Sequence, residues 1–460
     1  MTGEYRARPR PELRAIVLTG ACFFAACRPA VRAAGPVAPP APPVVVDEPP
    51  AALIEAPRGP RDPVEASRYE AFDINHVLST GQSLAVGVSG APPTTLTQPF
   101  HNVMFNTGVM AGGEDLTAFV PLVEGDNIPG SKVRVETMSA SFANLVTELA
   151  LASGLTHDIL LSNHASGAKS YWQLKKGTKY YANGMAQVTA AAAIAKQLGK
   201  SYVVRAVTTV HGESDHADKS TRYAQDLLEW QSDYEHDVQA ITGQTESVPL
   251  FETQISSWTR MMGGTETSGI PMAQLAAHLA KKQRLGGVVL VGPKYHLPYS
   301  SDGVHLSMEG YRQMGEDYAK AYKRVVIDRE PWEPLRPIAV TREGAVITIK
   351  LLVPSPPLVL DTTLVSDPGH FGFEYFDAAG TSTPTITSVE IAGADTVRIT
   401  LEREPTAENR RIRYAYTAAR HLKAGPTTGP RGNLRDSDAT KSRSGKRLFN
   451  WCIHFDEAVP

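Results

Sequence analysis

The stretch HVLSTGQS, residues 76–83, joins a short apolar run to a glycine and a serine. A run of this length and composition predicts a buried β-strand over residues 76–80. Gly81 permits a tight turn directly after the strand, so Ser83 would be presented at the strand's carboxyl end. Serine beside glycine is also common in ordinary loops, and this stretch alone is therefore weak support for Ser83 as a nucleophile.

Strand and helix patterns alternate along the chain from residue 70 to residue 328. Further strands are predicted at residues 158–161, 202–210, 249–253 and 288–291, and helices at residues 142–152, 182–198, 223–238, 271–283 and after Ser307. This alternation predicts a parallel sheet with helices on both faces. Ligands of such sheets bind at the carboxyl ends of the strands.

A second, β-rich region is expected over residues 329–460, where period-two alternation replaces the helical pattern. Apolar residues alternate at positions 347/349/351, 371/373/375, 397/399/401 and 412/414/416, with glycines and prolines between these runs. Such runs predict a β-sandwich, to which the apolar stretch 448–455 would add a strand. This accessory domain is expected either to bind glycan or only to brace the first domain, and bracing is favoured because no distinct aromatic platform is visible.

The amino-terminal segment has the pattern of an export signal. Four arginines precede an apolar run of 12 residues, 15–26, which is too short to cross a bilayer but suits the centre of a signal peptide. The run ends in Phe-Ala-Ala-Cys at Cys27, similar to a bacterial lipobox, although Phe stands where Leu is usual. Residues 1–27 are therefore expected to direct export, leaving either a cell-envelope lipoprotein or a secreted protein.

A linker is predicted between this signal and the first domain. Residues 28–69 contain 11 of the 34 prolines in the chain, a composition that favours an extended tether. Beyond it, Cys452 is the last of the three cysteines and would be alone in the folded body. No disulfide framework is expected there, and a lone cysteine is more often a small buried residue than a reactive one.

The overall composition is that of a soluble globular protein and excludes some partners. Hydrophobic residues make up 42% and charged residues 20% of the 460 residues. The formal net charge of -2 argues against a nucleic-acid partner, which would require a basic face. Attachment to a membrane is expected only through a lipid on Cys27.

Four short segments, each after a predicted strand, contain the candidate catalytic residues. They are Gly81-Gln82-Ser83, Ser166-Gly167-Ala168, His211-Gly212-Glu213-Ser214-Asp215 and Asp302-Gly303-Val304-His305. Strand ends of one sheet converge, so these residues are expected to meet in one cleft. Asp302 can accept the ring N–H of His305 and fix the tautomer that takes a proton from a serine. Acyl transfer also needs donors for the oxyanion, and the unshielded amide of Gly167 suits that task.

In this order, the four segments resemble the motif blocks of the SGNH (GDSL-type) hydrolases, and more narrowly the branch with sialate O-acetylesterases and acetylxylan esterases. Residues 166–172, SGAKSYW, are similar to that branch's second block. The resemblance covers about residues 72–326. It implies a three-layer α/β/α fold, no metal, no cofactor, and a serine esterase that removes acetyl groups from carbohydrate. By carry-over, Ser83 is the nucleophile, His305 the base and Asp302 its orienter, with the Ser83 and Gly167 amides as oxyanion donors.

The chain departs from this branch at His211, where the branch carries a Gln that helps to hold the oxyanion. A neutral imidazole can donate one N–H, so His211 is expected either to be the third oxyanion donor or only to pack the loop. Ser214 is a second candidate for that donor. Four residues are candidates for substrate binding: Gln82, Glu213, Trp172 and Trp258. For the glutamate a loop-anchoring role stays open, and for both tryptophans burial in the core.

Other classes of function fit the sequence less well. An α/β-hydrolase would require a G-x-S-x-G elbow and a zinc protease an H-E-x-x-H pair, and neither motif occurs. Two alternatives stay open. One is an SGNH lipase or thioesterase acting on aliphatic esters, since one fold hosts several activities. The other is a catalytically inactive, glycan-binding surface lipoprotein.

Overall fold

The structure is a computed structural model that describes residues 69–261, 263–280 and 285–460. The predicted export signal, and all of the predicted linker except Tyr69, lie outside these residues. Among the helices that the model describes, none combines the length and the apolar character that a membrane span requires.

A seven-stranded sheet forms the centre of the amino-terminal part of the described chain. Its strands are β1 (Ile74–Gly81), β2 (Val103–Phe105), β3 (Phe119–Pro121), β4 (Ile159–Asn163), β5 (Tyr202–Val210), β6 (Leu250–Glu252) and β7 (Val288–Leu290). They follow the order β3-β2-β4-β1-β5-β6-β7, and every neighbouring pair is parallel except β2 with β3. The first strand, β1, is buried along its whole length and lies in the middle.

Helices cover both faces of this sheet. They are α1 (Ser83–Val86), α2 (Ser139–Ala152), α3 (Tyr171–Leu174), α4 (Lys179–Gln197), α5 (Glu213–Ala217), α6 (Tyr223–Thr242), α7 (Ile270–Leu279) and α8 (Met308–Tyr322), which continues into a π-helical turn, Lys323–Ile327. Successive side chains of a strand point to opposite faces. Val77 accordingly packs in the core with α2 and α8, whereas Leu78 packs in the core with α4 and α6. The predicted three-layer α/β/α arrangement is therefore confirmed.

Antiparallel sheets make up the carboxyl-terminal part, as predicted. Their strands are β8 (Arg336–Glu343), β9 (Val346–Leu352), β10 (Val359–Leu360), β11 (Phe373–Phe376), β12 (Ile386–Ile391), β13 (Thr396–Leu401), β14 (Arg411–Tyr414), β15 (Leu434–Arg435) and β16 (Phe455–Ala458). Within the described residues, β12-β13-β9-β8 form one sheet, β11-β14-β16 a second and β10-β15 a third. The first two share one hydrophobic core, to which Ile399 and Tyr414 both belong.

The prediction of a strand over residues 448–455 is wrong, because the strand β16 begins only at Phe455. The preceding residues bond to other parts of the fold instead. The amide of Cys452 donates to Leu434, that of Ile453 to Leu335 and that of His454 to the Gln254 side chain. His454 thus bonds this stretch to the amino-terminal part. Cys452, within the same stretch, is fully buried.

Both parts of the described chain belong to one compact unit. The side chain of Lys320, on α8, donates hydrogen bonds to Asn450 at 2.8 Å and to Asp438 at 3.0 Å. The division into domains at residues 328 and 329 stays a prediction.

Candidate active site

Ser83 stands at the centre of the sheet's carboxyl edge. Gly81 ends β1 with φ +123°, and a Cβ at this position would lie 2.4 Å from the carbonyl oxygen of Val210 on β5, so only glycine fits. The chain turns here and α1 begins at Ser83. Because β1 lies between β4 and β5, the segments that follow those two strands flank the serine.

The predicted triad residues lie in contact. The Nε2 atom of His305 lies 2.8 Å from the Ser83 hydroxyl oxygen, and its Nδ1 lies 2.7 Å from Oδ2 of Asp302. A carboxylate only accepts, so Nδ1 carries the ring proton and Nε2 is free to accept the hydroxyl proton. Ser307, which caps α8 by accepting from the Gly310 amide at 3.3 Å, fixes where the loop with both residues ends.

Asp302 accepts several hydrogen bonds besides that of His305. Oδ1 accepts from the Ser300 hydroxyl at 2.9 Å and from the amides of Val304 and His305 at 2.8 and 2.9 Å, and Oδ2 accepts from the Ser89 hydroxyl at 3.2 Å. Partial burial works to raise the pKa of Asp302, but the hydrogen bond from the His305 ring and those from the Val304 and His305 amides outweigh it and hold the pKa well below its usual range. The carboxyl group is therefore ionised at neutral pH.

Two of these donors were missed from the sequence. Ser300 lies two residues before Asp302 and bonds it side chain to side chain, and this closeness in sequence is a signal that could have identified it. Ser89 lies 213 residues away in sequence, with φ +69°. Nothing local to its own segment points to a carboxylate so distant in the chain.

The two predicted oxyanion amides lie beside each other. A Cβ placed on Gly167 would lie 3.8 Å from the Cβ of Ser83, so the glycine directly flanks the serine. The neighbouring Ser166 amide donates to the carbonyl of Gly81 at 3.0 Å, which ties this segment to the end of β1. Among the described residues, the amides of Ser83 and Gly167 have no hydrogen-bond acceptor.

The predicted role of His211 as the third oxyanion donor is wrong. Its Nε2 lies 3.0 Å from the carbonyl oxygen of Lys169, which only accepts, so Nε2 donates its proton there. Its Nδ1 accepts from the Tyr223 hydroxyl at 2.7 Å, and the two rings stack. The imidazole is buried and has no N–H left for a substrate, so it packs the loop, the other role expected for it. Ser214 lines the cleft.

Gln82 and Glu213 join two of the motif segments, and of these two residues only Gln82 also lines the cleft. The Gln82 side chain accepts from the Ser214 amide at 3.0 Å and donates to Glu213 at 3.2 Å. Glu213 is fully buried and pairs with the ammonium group of Lys294 at 2.7 Å. The predicted contact of Glu213 with substrate is therefore wrong, and its role is the loop anchor that was left open. Lys294 was missed, because only the folded chain brings it to the glutamate.

The two candidate tryptophans have opposite surroundings. Trp258 is fully buried, packs edge-on against His454 and donates its indole N–H to the carbonyl of Glu266 at 3.3 Å, so its predicted contact with substrate is wrong. Trp172 is 53% exposed, with the Lys175 ammonium 4.4 Å and the Arg222 guanidinium 5.2 Å from its ring. Only Trp172 is open to a ligand.

An open cleft of about 540 Å³ surrounds the triad. Its lining consists of Gln82, Ser83, Ala168, Ser170, Gln173, Ser214, Ala217, Asp218, Arg260, Met261, Asp302, Val304 and His305. In the described part of the chain, no cluster of three or more His, Cys, Asp or Glu side chains is arranged to hold a metal ion. The arrangement of a hydroxyl, an imidazole and a carboxylate beside two free amides is one that can attack an ester carbonyl.

Residues 110–324 match the family model described as carbohydrate esterase, sialic acid-specific acetylesterase. The matched residues include Gly167, Asp302 and His305, and they begin after Ser83. This match confirms the resemblance predicted from the motif segments. No curated protein matches the chain.

Solved structures with a related fold include a carbohydrate acetylesterase from Xanthomonas citri, which is 14% identical over 83% of this chain and 80% of its own, with a TM-score of 0.53. A protein from Arabidopsis thaliana is 22% identical over 54% of this chain and 97% of its own, with a TM-score of 0.40. A carbohydrate acetylesterase from Sinorhizobium meliloti is 13% identical over 54% of this chain and 97% of its own, with a TM-score of 0.30. At this identity the first likeness concerns the fold alone.

Proposed function

We propose that this carboxylic ester hydrolase removes acetyl groups from O-acetylated carbohydrate, with Ser83 as its nucleophile. The observation that carries the proposal is the continuous hydrogen-bonded chain from Ser83 through His305 to Asp302 on the wall of an open cleft. The family match supports the acetyl group and the carbohydrate as the two halves of the substrate.

The reaction runs in two steps through an acyl-enzyme. His305 Nε2 takes the proton of Ser83 as the serine oxygen bonds to the ester carbonyl carbon, and the tetrahedral oxyanion is held by the amides of Ser83 and Gly167. The sugar hydroxyl leaves with the proton from His305. Water then attacks the acetyl-serine as His305 takes its proton; the bond between the acetyl carbon and the Ser83 oxygen breaks as His305 returns that proton to the serine, and acetic acid leaves and ionises to acetate. Ser214 lines the cleft, and its hydroxyl is the candidate for a third oxyanion donor.

The acid side of the pH profile should follow a single ionisation. Only a neutral imidazole can take the Ser83 proton, whereas the low pKa of Asp302 keeps that carboxylate charged throughout. We expect kcat/KM for p-nitrophenyl acetate to fall about tenfold per pH unit on the acid side, with a slope of one. Initial rates measured over a series of falling pH check this, and a rate that rises as the pH falls would contradict the assignment of His305.

The pH series needs a control for unfolding, because the fold buries neutral histidines. Burial lowers the pKa of His76, His157 and His454 to about 3, whereas an unfolded chain titrates them near pH 6.5. The unfolded chain therefore binds more protons between these two pH values. The free energy of unfolding that these three histidines contribute is fully present above about pH 6.5 and is lost as the pH falls toward 3. If the fold is intact, activity lost at pH 5 returns when the sample is brought back to pH 7.5. The tryptophan fluorescence should then be the same at pH 5 as at pH 7.5.

The substrate class is tested by the length of the acyl group and by the products from glycans. p-Nitrophenyl acetate should be cleaved far faster than the butyrate or octanoate ester; the reverse order would favour a lipase or thioesterase. Mass spectrometry of acetylated xylan and O-acetylated sialic acids should show a loss of acetyl groups with the wild type and none with Ser83→Ala. No esterase activity on any of these would leave a glycan-binding protein instead.

Trp172 offers a test of polymer binding that is separate from the chemistry. It lies next to Gln173 and two residues from Ser170, both of which line the cleft. Stacking of a sugar ring on its exposed face would be worth about 1 kcal/mol, so Trp172→Ala should raise KM for an acetylated polysaccharide about fivefold and leave p-nitrophenyl acetate unaffected. Leu198→Ala, at another exposed apolar residue, is the matched control. Equal effects of both variants, or of one variant on both substrates, would contradict this role.

We further propose that the protein is exported and anchored through a lipid on Cys27. The support is the basic, apolar and small-residue pattern of residues 1–27. Cells producing the wild type should incorporate labelled palmitate into the protein, and cells producing Cys27→Ser should not. Label that persists in Cys27→Ser would contradict the anchor, and unlabelled wild type in the medium would favour plain secretion.

A further inference from the structure

A segment of the β-rich part, residues 418–424, lies directly against two loops of the cleft; we call it the bracing segment. One is the loop with Asp302 and His305, and the other is the loop of residues 257–261, which supplies Arg260 and Met261 to the cleft wall. Both loops come from the amino-terminal part of the chain. The site is therefore built with contributions from beyond the sheet that bears Ser83.

One backbone and two side-chain hydrogen bonds join the bracing segment to the loop of residues 257–261 and to Gly264 just after it. The amide of His421 donates to the carbonyl of Thr259 at 2.7 Å, and the Thr259 hydroxyl donates to the carbonyl of Leu422 at 2.7 Å. The Arg420 guanidinium adds a bond to the carbonyl of Gly264 at 2.8 Å. Thr259 is fully buried, so the donor of this hydroxyl bond is shielded from water.

The loop that carries the triad pair is held in the same way. The amide of Ala424 donates to the carbonyl of Gly303 at 3.0 Å, directly between Asp302 and His305. Gly303 has φ +72°, and a Cβ on it would lie 2.3 Å from the Cβ of Lys423, so the two backbones approach as closely as glycine permits. Arg260 then links the two loops, since its Nε donates to the carbonyl of Asp302 at 3.1 Å.

We propose that the bracing segment is a positioning element of the active site, which holds the Asp302–His305 loop in register with Ser83. This inference rests on the proposed function of those three residues. The β-rich part is then an integral portion of the catalytic unit rather than a separate module. Displacement of a reacting group by about 1 Å can cost about 100-fold in rate. Because the bracing segment helps to hold the loop of Asp302 and His305, the rate should be sensitive to the loss of its hydrogen bonds.

The test removes one bond and keeps the shape. Thr259→Val deletes the hydroxyl that reaches Leu422, whereas Thr259→Ser retains it. We expect Thr259→Val to lower kcat for p-nitrophenyl acetate about tenfold with little change in KM, and to slow labelling of Ser83 by a phosphonylating reagent in parallel. Thr259→Ser should restore both rates to within about twofold of the wild type.

A second variant separates positioning from general stability. Val397→Ala truncates a fully buried side chain of β13, in the core of the β-rich part. It should lower the melting temperature at least as much as Thr259→Val while leaving kcat unchanged at a temperature where every variant is folded. Wild-type kcat in Thr259→Val, or an equal loss of kcat in Val397→Ala, would overturn the inference.

Ser83→Ala, measured in the same series, distinguishes a failure of the proposed function from a failure of the bracing role. Activity that persists without the hydroxyl of Ser83 would contradict the proposed function, and the bracing segment would then have no triad to position. If Ser83→Ala is inactive and Thr259→Val is fully active, the function stands and only the bracing role fails.

Discussion

Replacing Ser83 with alanine should lower kcat/KM for p-nitrophenyl acetate by about 10⁴-fold or more. The variant loses the atom that bonds to the ester carbonyl, and His305 is left with no proton to take. A residual rate above that in water is expected, because oxyanion amides and the cleft still bind the substrate. The measurement is steady-state kinetics, together with the burst of p-nitrophenol that signals acyl-enzyme formation in the wild type.

The control is an exposed serine outside the cleft. Ser153, at the end of α2, has a hydroxyl that donates to Leu149 at 3.2 Å, and Ser153→Ala should retain wild-type kinetics. Both proteins should show the same melting temperature within a few degrees. An Ser83→Ala variant with substantial activity would rule out the acyl-enzyme route described above.

Replacing Lys294 with methionine should lower the free energy of unfolding by about 3–5 kcal/mol, because it leaves the Glu213 charge buried and unpaired. Neither side chain of this pair has exposed surface, and the two charged groups lie 2.7 Å apart. Esterase activity should fall as well, since Glu213 holds Gln82, which in turn accepts from the Ser214 amide. Urea denaturation at pH 7.5 measures the loss.

The double variant Glu213→Gln with Lys294→Met makes this prediction specific. It removes both charges and keeps a hydrogen-bonding amide beside Gln82, so most of the lost stability should return. Arg398→Met breaks an exposed pair with Glu390 and should hardly change stability. If the double variant is no more stable than Lys294→Met alone, the unpaired charge is not the cause of the loss.

The large-scale fold could be predicted from the sequence because its signals are local. The apolar run at residues 76–80 and the apolar stripe of α6 each predict an element from residues that are close together in the sequence. The meeting of Ser83 with Asp302 and His305 followed from topology, since parallel strand ends share an edge. The three-residue strands β2 and β3 were not predicted, whereas the equally short β6 and β7 were. β2 and β3 follow each other with no helix between them, so the strand–helix alternation that marked β6 and β7 does not mark them.

The finer parts of the site could not be predicted because they depend on contacts between distant segments. The ring of His211 is oriented by Tyr223 and by the carbonyl of Lys169, and neither partner can be read from the HGESD segment. Lys294 meets Glu213 only after α6, β6, α7 and β7 are in place. Ser89 reaches Asp302 across most of the first part of the chain.

The two outermost strands of the large sheet have a consequence for behaviour at high concentration. β3 and β7 are each three residues long, and β3 ends in Pro121, which has no amide hydrogen to offer. A strand from a neighbouring molecule would find too few unpaired backbone groups on either side to extend the ladder. This sheet should therefore resist edge-to-edge aggregation even in a concentrated preparation.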